Sequence, residues 1–233
     1  MRPLSELLSG DPAWPHVRTW IADAENEVVV VASTRERGEH VLHLLQVTSR
    51  SILGAVALET GGILVDRGWL RILGCGSARM QASLASWNGL GSAAVEPLER
   101  AFLVAHDAVG GFFAVDGGAL GGERGEVRYL APDTLVWERL ADGYSDFVAW
   151  TLAGDLDGFY DGLRWPGWEN ELAKLSPDEG FLLLPPPFAE QGKPVANTRR
   201  TPVPMTELWA VQLGYAHQLE ALPEGADSQI RVE

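Results

Sequence analysis

The chain has 233 residues, 46% of them hydrophobic, enough to bury about 70% of the surface that an unfolded chain of this size exposes and so to build one large core. Its 32 acids against 18 lysines and arginines give a formal net charge of −14, a field that repels nucleic acid and anionic membranes and favours basic proteins as partners. Cys75 is the single cysteine, which excludes an intramolecular disulfide and argues against a cysteine-based zinc site.

Charge and proline interrupt MRPLSELLSGDPAW before a signal-peptide core could form, and no run of about twenty apolar residues follows. A cytoplasmic protein is expected. Pro3 to Ser9 and Pro15 to Ala24 read as helices, the second with Val17, Trp20, Ile21 and Ala24 along one stripe. Val28 to Ala32 is short and β-branched, so a strand is predicted. Glu36 to Val47 returns to helical spacing, with His40 and His43 on its flank.

The middle reads as a sheet. Leu53 to Glu59, Ile63 to Asp66 and Trp69 to Leu73 are short apolar segments parted by glycine turns, so antiparallel pairing is expected. Gly74 to Ser77 leads into a predicted helix, Ala78 to Trp87, which Asn88-Gly89 stops. Further strands are predicted at Leu103 to Ala105, Phe112 to Val115, Val127 to Leu130 and Leu135 to Glu138. Their alternation suits a sheet with helices on a face.

Ser145 reads as the N-cap of a helix bearing Phe147, Val148, Trp150, Thr151 and Leu152. Asp155 to Leu163 and Trp168 to Leu175 follow as short helices around the turn Arg164-Trp165-Pro166-Gly167, then Phe181 to Leu184 as a strand. Residues 185–204 hold six prolines without periodicity, which predicts an extended arm. Thr206 to Leu222 is an amphipathic helix. The fold class is therefore α+β, a mainly antiparallel, twisted central sheet flanked by helices in a single globular domain. It divides into a body (1–184), a proline-rich arm or loop (185–204) and a C-terminal segment (205–233) whose helix packs on the same body.

Chemical signatures are incomplete. Gly74-Cys75-Gly76 sits between strand and predicted helix as a dinucleotide fingerprint would, but Arg79 occupies the third glycine's place. A tight turn accounts for the glycines, and the helix amides with Ser77 and Arg79 could hold a small anion. Gly117 to Gly125 lacks the Gly-Lys-Ser/Thr ending of a phosphate loop, so a hairpin loop is expected. Asp155, Asp157 and Asp161 fail the EF-hand order, because Phe159, Tyr160 and Pro166 fall at its fifth, sixth and twelfth positions. The five histidines form no evident metal pair, and Cys75 has no base identifiable in sequence. Neither a metal nor a cofactor is expected.

The run His106-Asp107-Ala108-Val109-Gly110-Gly111-Phe112-Phe113-Ala114-Val115-Asp116, then Val127 to Leu130, Asp133 to Glu138 and Ser145-Asp146-Phe147, is similar to the SUKH superfamily. Gly61 to Gly74 and Leu84 to Asn88 also look like an uncharacterised bacterial domain-of-unknown-function family, which brings no assigned chemistry. The SUKH resemblance implies binding rather than catalysis, since those proteins include immunity proteins that neutralise toxins and regulatory adaptors. An immunity protein often offers an acidic surface to a basic nuclease toxin.

From Asp142 to Glu179 nine acids face Arg164 and Lys174, half the net charge of the whole chain. The plainest reading of such a run is a solvated face. The functional one is a partner surface of Asp155, Asp157, Asp161, Glu169 and Glu171, with Trp165 and Trp168 as anchors, although with nine tryptophans in the chain core and helix packing is the plainer use of these two. The alternative is a small-molecule enzyme or sensor whose pocket lies near Trp69, Arg71, His106 and Asp107, brought together by the sheet. Lys193, Arg199 and Arg200 put positive charge on the arm, which is expected across the protein's own acidic face or that of a neighbouring subunit in a homo-oligomer.

Overall fold

In a computed structural model, described for residues 1–8 and 10–220, seven strands form one antiparallel sheet in strict sequence order. The strands are β1 (Val28–Val31), β2 (Gly62–Val65), β3 (Leu70–Leu73), β4 (Ala101–Asp107), β5 (Phe112–Asp116), β6 (Val127–Leu130) and β7 (Trp137–Ala141). A second, two-stranded sheet pairs β8 (Glu179–Leu184) with β9 (Arg199–Pro204). The helices are α1 (Leu4–Leu7), α2 (Trp14–Ala22), α3 (Arg35–Leu45), α4 (Ile52–Glu59), α5 (Tyr144–Ala153), α6 (Leu156–Phe159), α7 (Trp168–Leu172) and α8 (Met205–Glu220). The α+β class with a mainly antiparallel sheet is thus observed. Ser9 and residues 221–233, including the end of the last predicted helix, lie outside the described residues.

Cross-strand neighbours share a face, so the register sorts the core. Leu64, Arg71, His106, Phe112 and Leu130 form one row across β2 to β6, and Ile63, Ile72, Ala105, Phe113 and Tyr129 form the adjacent row on the opposite face. Phe147 of α5 lies 5.2 Å from Phe113, and Phe159 of α6 lies 5.1 Å from Tyr129. These helices cover the second face. The first is closed by Trp87, stacked 5.4 Å from His106, and by Trp209 of α8, edge-on to Phe112 at 4.8 Å.

Several local expectations are corrected. Leu53 to Glu59 is helical: Ser51 accepts the Gly54 amide as N-cap, and α4 is buried on nearly every side, so its apolar residues show no face from which to read a period. Ala78 to Trp87 is not a helix beyond a 3-10 turn at Ser86–Asn88. Its amides are taken elsewhere, Arg79 and Met80 by the Ser77 hydroxyl, and Gln81 and Ala82 by the Asp178 carboxylate. The anion-holding helix start at Ser77 and Arg79 is accordingly absent.

The predicted strand at Leu135 begins instead at Trp137, because Leu135 closes a turn onto the Ala131 carbonyl with φ +57. Gly143, not Ser145, occupies the N-cap of α5. Part of the proline-rich arm is ordered as β9. Its Pro202 and Pro204 stand opposite Phe181 and Glu179, an arrangement open to prolines because a two-stranded sheet leaves an edge where no N–H is required.

Gly38 in α3 makes the helix pairing possible, since a Cβ there would run into the Leu58 carbonyl of α4. Helix propensity alone favours Gly38→Ala by about 1 kcal/mol. We expect the opposite, a loss of about 2 kcal/mol from overpacking, read by urea unfolding. A variant as stable as the parent would show that α3 and α4 part without cost.

Candidate functional site

Arg71, His106 and Asp107 come together where β3 pairs with β4 in the middle of the seven-stranded sheet, while Trp69, just before β3, packs on Tyr160, Trp165 and Trp168, and all four are buried. Arg71 stands opposite His106 and Leu70 opposite Asp107, which puts Arg71 and His106 on one face and Asp107 on the other. Trp69, His106 and Asp107 are 0% exposed and Arg71 is 2% exposed. The guanidinium of Arg71 donates to the carbonyls of Gly68 (2.8 Å), Pro177 (3.0 Å) and Glu179. It therefore ties β3 to the approach of β8. Burial lowers its pKa to about 10, opposed by Asp107, Asp178 and Glu179.

Asp107 is held just as fully. It accepts the Tyr129 hydroxyl at 2.7 Å and the amides of Val109 (3.0 Å) and Gly111 (2.8 Å), pinning the turn between β4 and β5. Burial pushes its carboxyl above the usual range, against the pull of those donors and of Arg71. His106 differs, for neither ring nitrogen has a hydrogen-bond partner. Burial, reinforced by the Arg71 charge, keeps the imidazole far below its ordinary pKa, so it is neutral. Arg71, His106 and Asp107 are a packed polar pillar rather than a set of residues facing a ligand.

A groove of about 330 Å³ lies elsewhere, lined by Ala32, Ser33, Thr34, Arg37, Ser77 and Ala78. The Gly74-Cys75-Gly76 turn is close to it, since Ser33 donates to the Gly76 carbonyl at 2.6 Å. Cys75 is buried, and burial raises its thiol pKa. Its thiol sits 3.1 Å from the Thr60 carbonyl. Among the described residues, no three His, Cys, Asp or Glu side chains gather as a metal site.

The acidic residues take varied positions. Asp155 caps α6, accepting the Gly158 amide at 2.9 Å, and remains exposed, as does Asp161. Asp157 has a 94% exposed side chain and pairs with Arg164 at 2.7 Å. Glu169 is 3.8 Å from Arg67. Glu171 accepts the indole N–H of Trp165 at 2.9 Å and pairs with Arg200 of the former arm at 3.1 Å. Trp165 is 3% exposed and belongs to the core, while Trp168 is half-buried against Trp69. The arm's other cations, Lys193 and Arg199, are exposed.

The fold adds acids that sequence reading did not group with these. Asn26 donates to the carbonyls of Thr151 and Gly154, both at 3.0 Å, so the turn after α2 lies against the end of α5. Exposed Glu25 and Glu27 thereby join Asp155, and the Asp66 amide donates to the Glu27 carbonyl. Arg67 lies 3.6 Å from Glu27 and also reaches Glu169, and Arg164 pairs with both Asp66 and Asp157. Seven carboxylates, Glu25, Glu27, Asp66, Asp155, Asp157, Asp161 and Glu169, thus share one end of the molecule with Arg67 and Arg164. The Asp66-Arg67-Gly68 turn was visible in the sequence as a break between strands; its partners were not.

These features describe an α+β protein with a sealed polar core and a composite acidic end. The chain belongs to the family described as protein of unknown function DUF2625, whose pattern matches residues 4–208. It is similar to a protein of Escherichia coli K12 described as putative uncharacterized protein YbfG, 40% identical over 213 residues that cover 91% of this chain and 96% of that one. An uncharacterized protein of Haemophilus influenzae is 37% identical over 189 residues, 79% of this chain and 82% of its own. No helix among the described residues is long and apolar enough to cross a membrane.

Proposed function

We propose that this chain is a binding protein that docks a basic protein on its composite acidic end, in the manner of a SUKH-like immunity protein or regulatory adaptor. The observation that carries this reading is the joining of Glu25 and Glu27 to Asp155 through Asn26. Two separate acidic segments are held side by side there. Like charges brought together cost stability, offset here in part by Arg67 and Arg164, and a focused field speeds and orients the approach of an opposite charge. The enzyme or sensor reading has less support, since Arg71 and Asp107 are committed to internal hydrogen bonds and buried with Trp69 and His106.

The test uses protamine, an arginine-rich polypeptide, as a basic probe in titration calorimetry at several salt concentrations. Changing Glu25, Asp155 and Asp161 together to Lys is expected to weaken binding about tenfold or more and to flatten its salt dependence. A control reversing Glu36, Glu190 and Glu207, exposed acids outside this set, should have a smaller effect. Equal losses in both variants would reduce the effect to net charge and overturn the reading.

A further inference from the structure

Arg164 occupies an aromatic cage. Its guanidinium carbon lies 4.4 Å from the Trp168 ring centroid and 4.9 Å from those of Trp69 and Tyr160. Two different nitrogens reach two carboxylates, Nη1 to Asp157 and Nη2 to Asp66. Aromatic faces attract any cation, but separate in-plane donors directed at separate carboxylates select the planar, forked guanidinium over an ammonium.

Two polar groups of the cage wall lack a hydrogen-bond partner although buried, Trp69 Nε1 and the Tyr160 hydroxyl, and so does Nε of Arg164 itself. Buried polar groups are normally satisfied; the Tyr160 oxygen is an acceptor that Arg164 leaves unused and Nε of Arg164 a donor left without an acceptor, so the resident side chain does not use all that the cage offers. The cage also has an outlet. Arg164 itself is 9% exposed, while its acceptor Asp157 is 94% exposed. Gly162 and Gly167 flank it with φ of +85 and +81, each with open space where a Cβ would stand. Leu163 and Trp165 remain buried, so release requires the Arg164 side chain to rotate out while the turn stays in place.

The same recognition occurs a second time nearby. Arg200, brought from β9, lies 4.7 Å from the Trp165 ring centroid and pairs with Glu171. This aromatic cluster accepts a guanidinium from a distant part of the chain.

The geometry points to a guanidinium-binding cage, formed by Trp69, Tyr160 and Trp168 with Asp66 and Asp157, which Arg164 plugs and which an arginine side chain of the bound partner enters by displacing it. This rests on the acidic end being the partner surface, since that surface would deliver the arginine. A plugged cage binds its ligand with an affinity reduced by the fraction of molecules in which the plug is out.

The experiment opens the cage with Arg164→Ala and titrates N-acetyl-arginine amide, following tryptophan fluorescence and thermal stability. The variant should bind saturably, about tenfold or more tighter than the parent, and should be stabilised by the ligand. Tetramethylammonium should bind about tenfold more weakly than the arginine amide, and adding Trp168→Ala should abolish binding. A folded Arg164→Ala protein that does not bind the arginine amide, or binds tetramethylammonium equally well, overturns the proposal.

Should Arg164→Ala fail to fold, the parent chain carries the test through the Nε resonance of Arg164, assigned by its loss in Arg164→Lys. Excess N-acetyl-arginine amide should shift it, and an unmoved resonance overturns the proposal. Failure of the cage leaves the protamine result intact. Conversely, a cage that binds arginine amide in a protein whose charge reversals leave protamine affinity unchanged would overturn only the partner surface.

Discussion

Arg71→Met should lower stability by about 4 kcal/mol, which for a chain of this size corresponds to a fall of about 10 °C in Tm. The methionine can fill much of the same volume, so the loss arises chiefly from polar groups left behind. Three carbonyls, those of Gly68, Pro177 and Glu179, lose their donor. Asp107 loses a nearby cation that opposes the effect of burial on its carboxyl. Arg71→Lys keeps a charge but not the fork, and should recover less than half of the loss. Chemical denaturation gives the magnitude, and hydrogen exchange should show β8 opening first, because Arg71 ties its approach to the main sheet. An Arg71→Met protein within about 1 kcal/mol of the parent would show that these contacts add little beyond the ordinary worth of a hydrogen bond.

Legibility in the sequence followed the range of the forces involved. Strands β2, β3, β5 and β6 were readable as short apolar runs parted by glycine-containing turns, whereas the pairing of β3 with β4 across residues 74–100 follows from no local turn. Where hydrogen bonds came from far along the chain, local pattern misled. The amides of Gln81 and Ala82, in a segment of helical composition, are held by Asp178, 97 and 96 residues away. The helix α4 shows the complementary problem, since burial on nearly all sides erases the polar face that would reveal its period.

The same division applies to the candidate sites. That the sheet would bring Trp69, Arg71, His106 and Asp107 together was an assumption; the register pairs Arg71 with His106 on one face and leaves Asp107 on the other. Their closure was not readable, because it depends on the Pro177 and Glu179 carbonyls and on rings from Trp87 and α8, contributed by other segments. For Trp165 in its Trp-Pro-Gly-Trp turn the plainer of the two readings holds, core packing rather than a partner anchor, since its indole N–H is directed to Glu171 and its ring to Phe181 of β8, 5.3 Å away. Half of the acidic end was visible as a charge run. Glu25 and Glu27 required the Asn26 contacts that fold residues 25–27 against α5, and Asp66 the bond of its amide to Glu27 and its pairing with Arg164.

His106→Phe should make the protein's stability markedly less sensitive to acid. In the parent, burial and the neighbouring Arg71 hold the folded imidazole well below its ordinary value of 6.5. Between those two values the unfolded chain binds a proton that the native protein does not, so stability rises with pH across the window and falls as pH drops through it. Asp107 acts with the opposite sign. Its folded pKa is raised above 3.8, so its contribution is fully present below 3.8 and declines as pH rises through the folded value. The two slopes oppose each other wherever their windows overlap, and a single curve for the parent would hide both. Subtracting the His106→Phe curve isolates the first, because the substitution keeps an aromatic ring between Trp87 and Phe112 while leaving Asp107 in place. The difference should be flat above about pH 6.5 and fall with the slope of one proton below it. Above that pH the variant should be at least as stable as the parent, since two unpartnered buried nitrogens are gone. Urea unfolding at half-unit steps from about pH 5 to about pH 8 measures this. Parallel curves throughout would mean that the imidazole takes up its proton without cost, and hence that water or another partner reaches it inside the Trp87 stack.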